Sequence, residues 1–153
     1  MNELRRILGS CRTIAVVGLS PQWHRPSFFA AKYMQEHGYR VIPVNPKYPE
    51  ILGEKCYRSL REIPEKVDLV DVFRKTQDVP PIADDAIAIG AKVLWQQLGV
   101  RNESAAAKAR AAGLDAVMDC CVKIEHGRLF GGLNWVGVNT RVISAKRPRW
   151  LAY

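Results

Sequence analysis

Uninterrupted apolar stretches alternate along the chain with stretches in which apolar residues recur at helical spacing. The uninterrupted stretches are of strand length and cover residues 13–18, 39–44, 67–73, 92–95 and 114–118. Strands that are buried on both faces give such unbroken runs, and parallel sheets covered by helices contain strands of this kind. We therefore predict five strands of a largely buried parallel sheet.

The other stretches have the periodicity and the end signals of helices, and they cover residues 4–8, 27–37, 80–89 and 103–112. Gly38, Gly90 and Gly113 each follow such a stretch, where glycine commonly ends a helix, and Asn102 precedes one as a predicted N-cap. The alternation predicts an α/β fold with a doubly wound, mainly parallel five-stranded sheet and helices on both of its faces.

Composition limits the class of protein. The chain has 153 residues, of which 48% are hydrophobic and 25% charged, as in globular proteins. Its apolar runs are shorter than the about 18 residues of a membrane span, and the N-terminus shows no secretory signal, so a cytoplasmic location is expected. We expect one domain over residues 1–130 and a C-terminal extension over 131–153 that packs on the domain or across a homodimer.

The charge of the chain points to an anionic ligand. The formal net charge is +8, and the extension contains Arg141, Lys146, Arg147 and Arg149. Such a segment either stays solvated or contacts a nucleic acid, but no helix-turn-helix, zinc-finger or RNA-binding signature accompanies it. The rest of the chain is also basic, which favours a polyanionic small molecule over a nucleic acid.

The cysteines predict neither a metal site nor a disulfide. Cys11, Cys56, Cys120 and Cys121 include no CxxC pair, and the three histidines are scattered. Zinc sites and disulfide frameworks need regular spacings, so we expect reduced thiols and no metal.

Ligands of doubly wound sheets bind beyond the carboxyl ends of the strands, which here are followed by loops at 18–27, 44–49, 73–81, 95–101 and 118–126. In the first loop Gly18 allows a tight turn and close approach of a phosphate, while Ser20 and Arg25 can donate to an anion. Ser27 is predicted to cap the following helix, whose N-terminus favours negative charge. Together these residues predict a phosphate site.

Further loops add side chains that can contact a base or a phosphate. These are Asn45, Pro46 and Lys47 after the second strand, Phe73, Arg74 and Lys75 after the third, and Trp95 and Gln97 at the fourth. For Trp95 a purely core position is the alternative, since most tryptophans are largely buried. The dinucleotide fingerprint GxGxxG and the phosphate loop GK[ST] are both missing, so NAD binding and ATP hydrolysis are disfavoured.

Several segments, in this order, resemble the small bacterial CoA-binding proteins. They are Gly18-Leu19-Ser20, GYRVIPVNP at 38–46, DLVDVFR at 68–74, WQQLG at 95–99, and Cys121 followed by Glu125 and His126. These stand-alone proteins are similar to the CoA-binding N-terminal domain of the succinyl-CoA synthetase α-subunit. The resemblance spans about residues 4–130 and implies a Rossmann-like fold with coenzyme A, free or as an acyl-CoA, as the ligand.

The resemblance also implies roles for the loop residues. The first loop, with Gly18, Ser20 and Arg25, would meet the CoA phosphates. The second-strand loop at 45–47 would lie by the adenosine, and residues 73–75 would lie beside the adenine and its phosphates. The further domain and partner subunit of the synthetase have no expected counterpart, so a binding module without catalysis is the first hypothesis.

An enzyme acting on a CoA thioester is the alternative, and it depends on Cys121 with Glu125 and His126. A thiol near a histidine can act as a nucleophile. In a helix, however, Cys121 and Glu125 would share a face while His126 points elsewhere, and a carboxylate raises the pKa of a neighbouring thiol. We therefore expect these three residues to be structural. A basic protein that binds nucleic acid through residues 141–153 is the last alternative.

Overall fold

A computed structural model of the chain describes residues 2–130. The strands are β1 (Thr13–Val17), β2 (Arg40–Val44), β3 (Glu50–Ile51), β4 (Glu54–Lys55), β5 (Leu69–Val72), β6 (Val93–Gln96) and β7 (Asp115–Val117). Five of them form a parallel sheet in the order β2-β1-β5-β6-β7. The helices are α1 (Asn2–Ser10), α2 (Pro26–Glu36), α3 (Val79–Ala88), α4 (Glu103–Ala111) and α5 (Val122–Phe130). The predicted fold class is confirmed. The predicted packing of the extension 131–153 and its nucleic-acid alternative lie outside the described residues.

Helices cover both faces of the five-stranded sheet. Residues such as Ile14 and Trp95 pack with α1, α2 and α5, whereas Ala15 and Leu94 pack with α3 and α4 on the other face. Successive side chains of a strand point to opposite faces, so both sets must be apolar. This double burial explains why the strands appear in the sequence as unbroken apolar runs. Within residues 2–130, the longest apolar helix is still too short to cross a bilayer.

One predicted helix cap is confirmed and one is wrong. The Asn102 side chain accepts a hydrogen bond from the Ala105 N–H at 2.9 Å and caps α4. Ser27 does not cap α2, because that helix begins at Pro26 with Arg25 in the N-cap position. Proline has the φ angle of a first helical residue, so the helix starts two positions before Phe28, the first residue that a Ser27 cap would allow, and it includes Ser27.

A short hairpin between β2 and β5 has no counterpart in the sequence prediction. Glu50 of β3 pairs with Lys55 of β4, and the turn between them places Leu52 at φ 55° and Gly53 at φ 76°. Strands of two residues are too short to show alternation, and leucine is not a usual residue for a turn with positive φ. The hydrophobic pattern and the turn residues of the sequence therefore do not indicate this hairpin.

The strand order places the loops after β1 and β5 side by side. The chain runs from β1 to β2 on one side and then crosses to β5 on the other side of β1. Such a reversal is a topological switch point, and the crevice outside the carboxyl ends of the two strands is the usual ligand site.

Candidate ligand-binding cleft

A cleft of about 830 Å³ lies at the carboxyl ends of β1, β5 and β6, next to the first turns of α2 and α5. Its size is in the range of small-molecule sites, which is roughly 300–1,000 Å³. The lining residues are Gly18, Ser20, Gln22, Arg25, Pro26, Ser27, Phe29, Ala30, Tyr48, Phe73, Arg74, Lys75, Gln97, Leu98, Val100, Cys121, Lys123 and Ile124. The cleft thus brings together eight of the predicted ligand-binding residues: Gly18, Ser20, Arg25, Ser27, Phe73, Arg74, Lys75 and Gln97.

Gly18 allows the loops after β1 and β5 to approach closely. Its φ is +87°, and a Cβ at this position would lie 2.5 Å from the Phe73 carbonyl oxygen and 2.9 Å from Arg74 Cδ. Both the backbone conformation and the close contact therefore require glycine. The Gly18 N–H donates to the Val44 carbonyl at 2.9 Å, which also ties this turn to β2.

Hydrogen bonds inside the first loop fix its shape. Ser27 Oγ accepts from the Ser20 N–H at 3.0 Å, and Ser20 Oγ accepts from the Gln22 N–H at 3.1 Å. Arg25 Nε donates to Gln22 Oε1 at 3.1 Å. Because Ser20 Oγ is an acceptor in this network, its O–H remains available as a donor. The first turn of α2 has no side-chain cap. Its residues Pro26 and Ser27 line the cleft, so the positive end of the helix dipole lies beside the cleft.

The cleft is electropositive. Arg25, Arg74, Lys75 and Lys123 line it, and the described residues that line it include no aspartate or glutamate. Arg74 has a carboxylate partner nearby, Asp78, at 3.7 Å, but the two side chains are 48% and 40% exposed. Exposed pairs of this kind contribute little, so the Arg74 charge remains available to an anion.

The predicted residues of the second-strand loop, Asn45, Pro46 and Lys47, are not among those that line the cleft. Asn45 Nδ2 donates to the Leu19 carbonyl at 3.0 Å, and Asn45 Oδ1 accepts from the Lys47 N–H at 3.0 Å. Asn45 thereby holds its own loop against the first loop. Pro46 and Lys47 are exposed.

Trp95 occupies the core, the alternative that the sequence left open for it, and is not among the residues that line the cleft. Its side chain is fully buried under α1, α2 and α5, and its Nε1 donates to the Cys120 carbonyl at 2.7 Å. Successive side chains of β6 point to opposite faces of the sheet, and Trp95 points to the face that α1, α2 and α5 cover.

Exposed apolar side chains along the cleft were missed by the sequence prediction. Phe29 is 46% exposed and Leu98 is 60% exposed, and Tyr48, Val100 and Ile124 also line the cleft. In the sequence these residues resemble core residues, because the pattern does not distinguish an apolar side chain under a helix from one at a cleft.

A buried carboxyl contacts one wall residue of the cleft. Asp71 of β5 and Gln97 are both almost completely buried, and Gln97 Nε2 donates to Asp71 Oδ1 at 2.5 Å. Burial raises the pKa of Asp71 to about 8, and the hydrogen bond from Gln97 opposes this rise only in part. No sequence signal points to this pair, since Asp71 lies inside a strand segment.

The residues of the enzymatic alternative point in different directions. Cys121 lines the cleft, and burial raises the pKa of its thiol. His126 Nδ1 lies 3.0 Å from Tyr33 Oη, and Glu125 pairs with Arg128 at 2.5 Å. Burial, with a smaller effect of His37, lowers the pKa of His126 to about 4. The contacts of the described residues therefore do not include a base that would activate the Cys121 thiol.

Comparisons with known proteins identify relatives over most of the chain. A sequence model described as "CoA binding domain" matches residues 12–127. The uncharacterized protein YneT of Bacillus subtilis is 41% identical over 124 residues, which cover 81% of this chain and 92% of that protein. A hypothetical protein from Pyrococcus horikoshii has a solved structure that is 45% identical, with a TM-score of 0.83 over 85% of this chain and 92% of that one.

Part of a much larger enzyme also matches. The ADP-forming acetate–CoA ligase I of Archaeoglobus fulgidus is 38% identical over 74 residues, which cover 48% of this chain. The chain spans only 11% of the length of that ligase.

Proposed function

Because the chain belongs to the CoA-binding domain family, we propose that its cleft binds coenzyme A, free or acylated, without catalysing a reaction of the thioester. The observation that carries this proposal is the position of the cleft. It lies at the switch point of the sheet, where Gly18, Arg74 and Lys75 stand together.

The phosphates of CoA account for the charge of the cleft. CoA carries a pyrophosphate and a 3′-phosphate, so its binding requires several donors and cations in one place. Arg25, Arg74 and Lys75 line the cleft with Gly18, whose lack of a side chain lets the loops that carry these cations approach each other. The N-terminus of α2 and the Ser20 hydroxyl add uncharged donors at the same end of the cleft.

The adenosine and the pantetheine arm of CoA fit the remaining walls of the cleft. We place the adenosine near Phe73 and the loop at 45–47, where an aromatic ring, an amide and Pro46 are available for a base. The pantetheine arm would then extend along Phe29, Leu98 and Ile124, whose apolar side chains line the cleft beside β6 and α5. These walls also allow an apolar acyl group on the CoA sulfur.

The surroundings of Cys121 support binding of CoA without catalysis. A nucleophilic cysteine needs a lowered pKa or an adjacent base. Burial instead raises the pKa of Cys121, and His126 is engaged with Tyr33. The ligase activity of the Archaeoglobus relative is not extended to this chain, which spans 11% of that enzyme.

Charge removal at the cleft tests the proposal. Arg74→Ala and Lys75→Ala should each weaken CoA binding about ten- to a hundredfold in calorimetric titrations, since a hydrogen bond to a charged group contributes about 1.5–3 kcal/mol. Lys66→Ala is the matched control, because Lys66 is exposed and precedes β5 at the opposite edge of the sheet. Its affinity for CoA should match the wild type. Equal affinities in all four proteins would refute the proposed phosphate site.

A further inference from the structure

The orientation of the polar Gln97 side chain is determined by a buried residue beneath the cleft, Asp71. It is 2% exposed, lines the cleft, and follows β6 directly. Its Nε2 donates to Asp71 Oδ1 at 2.5 Å, and Asp71 is 1% exposed. A side-chain amide has a donor end and an acceptor end, and only hydrogen-bond partners decide which end faces a ligand.

The hydrogen bond to Asp71 determines which end of the Gln97 amide faces the cleft. With the amide nitrogen directed at Asp71, the amide oxygen is the polar atom of Gln97 that remains for the cleft. A ligand group opposite this oxygen must be a hydrogen-bond donor. The walls around it, from Leu98, Val100 and Ile124, are apolar, so an unmatched polar contact there would be costly.

We propose that Asp71 is a positioning residue that holds the Gln97 amide oxygen toward the cleft, where it accepts a hydrogen bond from an amide N–H of the pantetheine arm. This inference rests on the proposed function and extends it to the recognition of the arm. The pantetheine arm has two amide N–H groups, whereas phosphates at neutral pH offer acceptors. The Gln97 oxygen therefore complements the arm, and the cations complement the phosphates.

The carboxyl group of Asp71 suits this role better than an amide would. Oδ1 of Asp71 accepts from Gln97 whether or not Oδ2 carries a proton. An asparagine at position 71 carries two hydrogens on its NH₂ group, whereas the carboxyl group carries at most one, so asparagine can turn this donor toward Gln97 and let Gln97 reverse. A reversed Gln97 would place its NH₂ group against the N–H of the ligand.

The test compares two ligands, CoA and adenosine 3′,5′-bisphosphate, which lacks the pantetheine arm and one phosphate of the pyrophosphate. Asp71→Asn should weaken CoA binding about tenfold, the scale of one misdirected hydrogen bond, and leave binding of the bisphosphate unchanged. Gln97→Met keeps the size of the side chain, removes the acceptor, and should produce a similar selective loss. In the double variant, the Asp71→Asn change should add nothing to the loss caused by Gln97→Met.

Other outcomes contradict the inference. Equal loss of both ligands in Asp71→Asn, or a further loss in the Gln97→Met background, would assign Asp71 a general structural role. If Asp71→Asn does not fold, Gln97→Met decides alone, and an unchanged ratio of the two affinities overturns the inference. Wild-type protein that binds the bisphosphate as tightly as CoA would also overturn it while leaving the phosphate site intact. Wild-type protein that binds neither ligand would refute the proposed function itself.

Discussion

Replacement of Asp71 by asparagine should change how stability depends on pH. Burial raises the pKa of Asp71 in the folded protein to about 8, whereas its ordinary value is 3.8. Between these values the folded state keeps a proton that the unfolded state has lost. The free energy of unfolding of the wild type therefore falls as pH rises, by about 1.4 kcal/mol per pH unit for one proton.

A second buried group, His126, limits the pH range in which the effect of Asp71 on stability can be measured separately. Burial lowers the pKa of His126 to about 4 from an ordinary value of 6.5. Between these values the unfolded state holds a proton that the folded state lacks, so this group makes stability rise with pH. The two slopes oppose each other below about pH 6.5. From pH 6.5 to 8 the Asp71 effect remains, and it amounts to about 2 kcal/mol over the interval.

Urea unfolding at several pH values from 6.5 to 8 measures this effect. The quantity to compare is the unfolding free energy of Asp71→Asn minus that of the wild type, because groups common to both proteins cancel. This difference should increase by about 2 kcal/mol across the interval. Asp84→Asn, which removes a more exposed carboxyl on α3, is the control and should not change the slope. A difference that stays constant with pH would refute the reasoning about Asp71.

Three further changes test other parts of the structure. Gly18→Ala should lower the free energy of unfolding by about 1–3 kcal/mol, because of its positive φ and the contact with Phe73. Gly90→Ala, which has a positive φ but open space, should cost less, and equal costs would contradict the role of the contact. Asn102→Ala should cost about 1 kcal/mol through loss of the α4 cap, and an unchanged urea midpoint would argue against that cap. Cys121→Ser should leave CoA affinity within about twofold in calorimetry, since its neutral thiol offers the ligand no charge, and a large loss would indicate direct thiol participation.

The sheet and the charged part of the cleft could be predicted because each has a local signal. Burial on both faces produced unbroken apolar runs, and the residues that follow parallel strands meet at one edge of the sheet. Gly18, Arg74 and Lys75 could therefore be assigned to one site before their distances were known. The Asn102 cap was predictable for the same reason, since capping depends on residues a few positions apart.

Features that depend on tertiary packing could not be predicted in this way. Phe29 and Leu98 look like core residues until the fold shows that they border the cleft. Trp95 ends the predicted fourth strand, where the sequence allows a ligand-binding or a core position, and the register of β6 directs it under α1, α2 and α5. The contact of Asp71 with Gln97 joins residues 26 positions apart, one on β5 and one directly after the neighbouring β6. Leu52, at a positive φ, occupies a turn that sequence preferences do not favour.

The most direct test of the central proposal is calorimetric titration of the wild-type protein with CoA, dephospho-CoA and NADH in parallel. We predict that CoA binds in the micromolar range, that dephospho-CoA binds more weakly because it lacks the 3′-phosphate, and that NADH does not bind. Binding of NADH alone, or of none of the three ligands, would contradict the assignment of the cleft to coenzyme A.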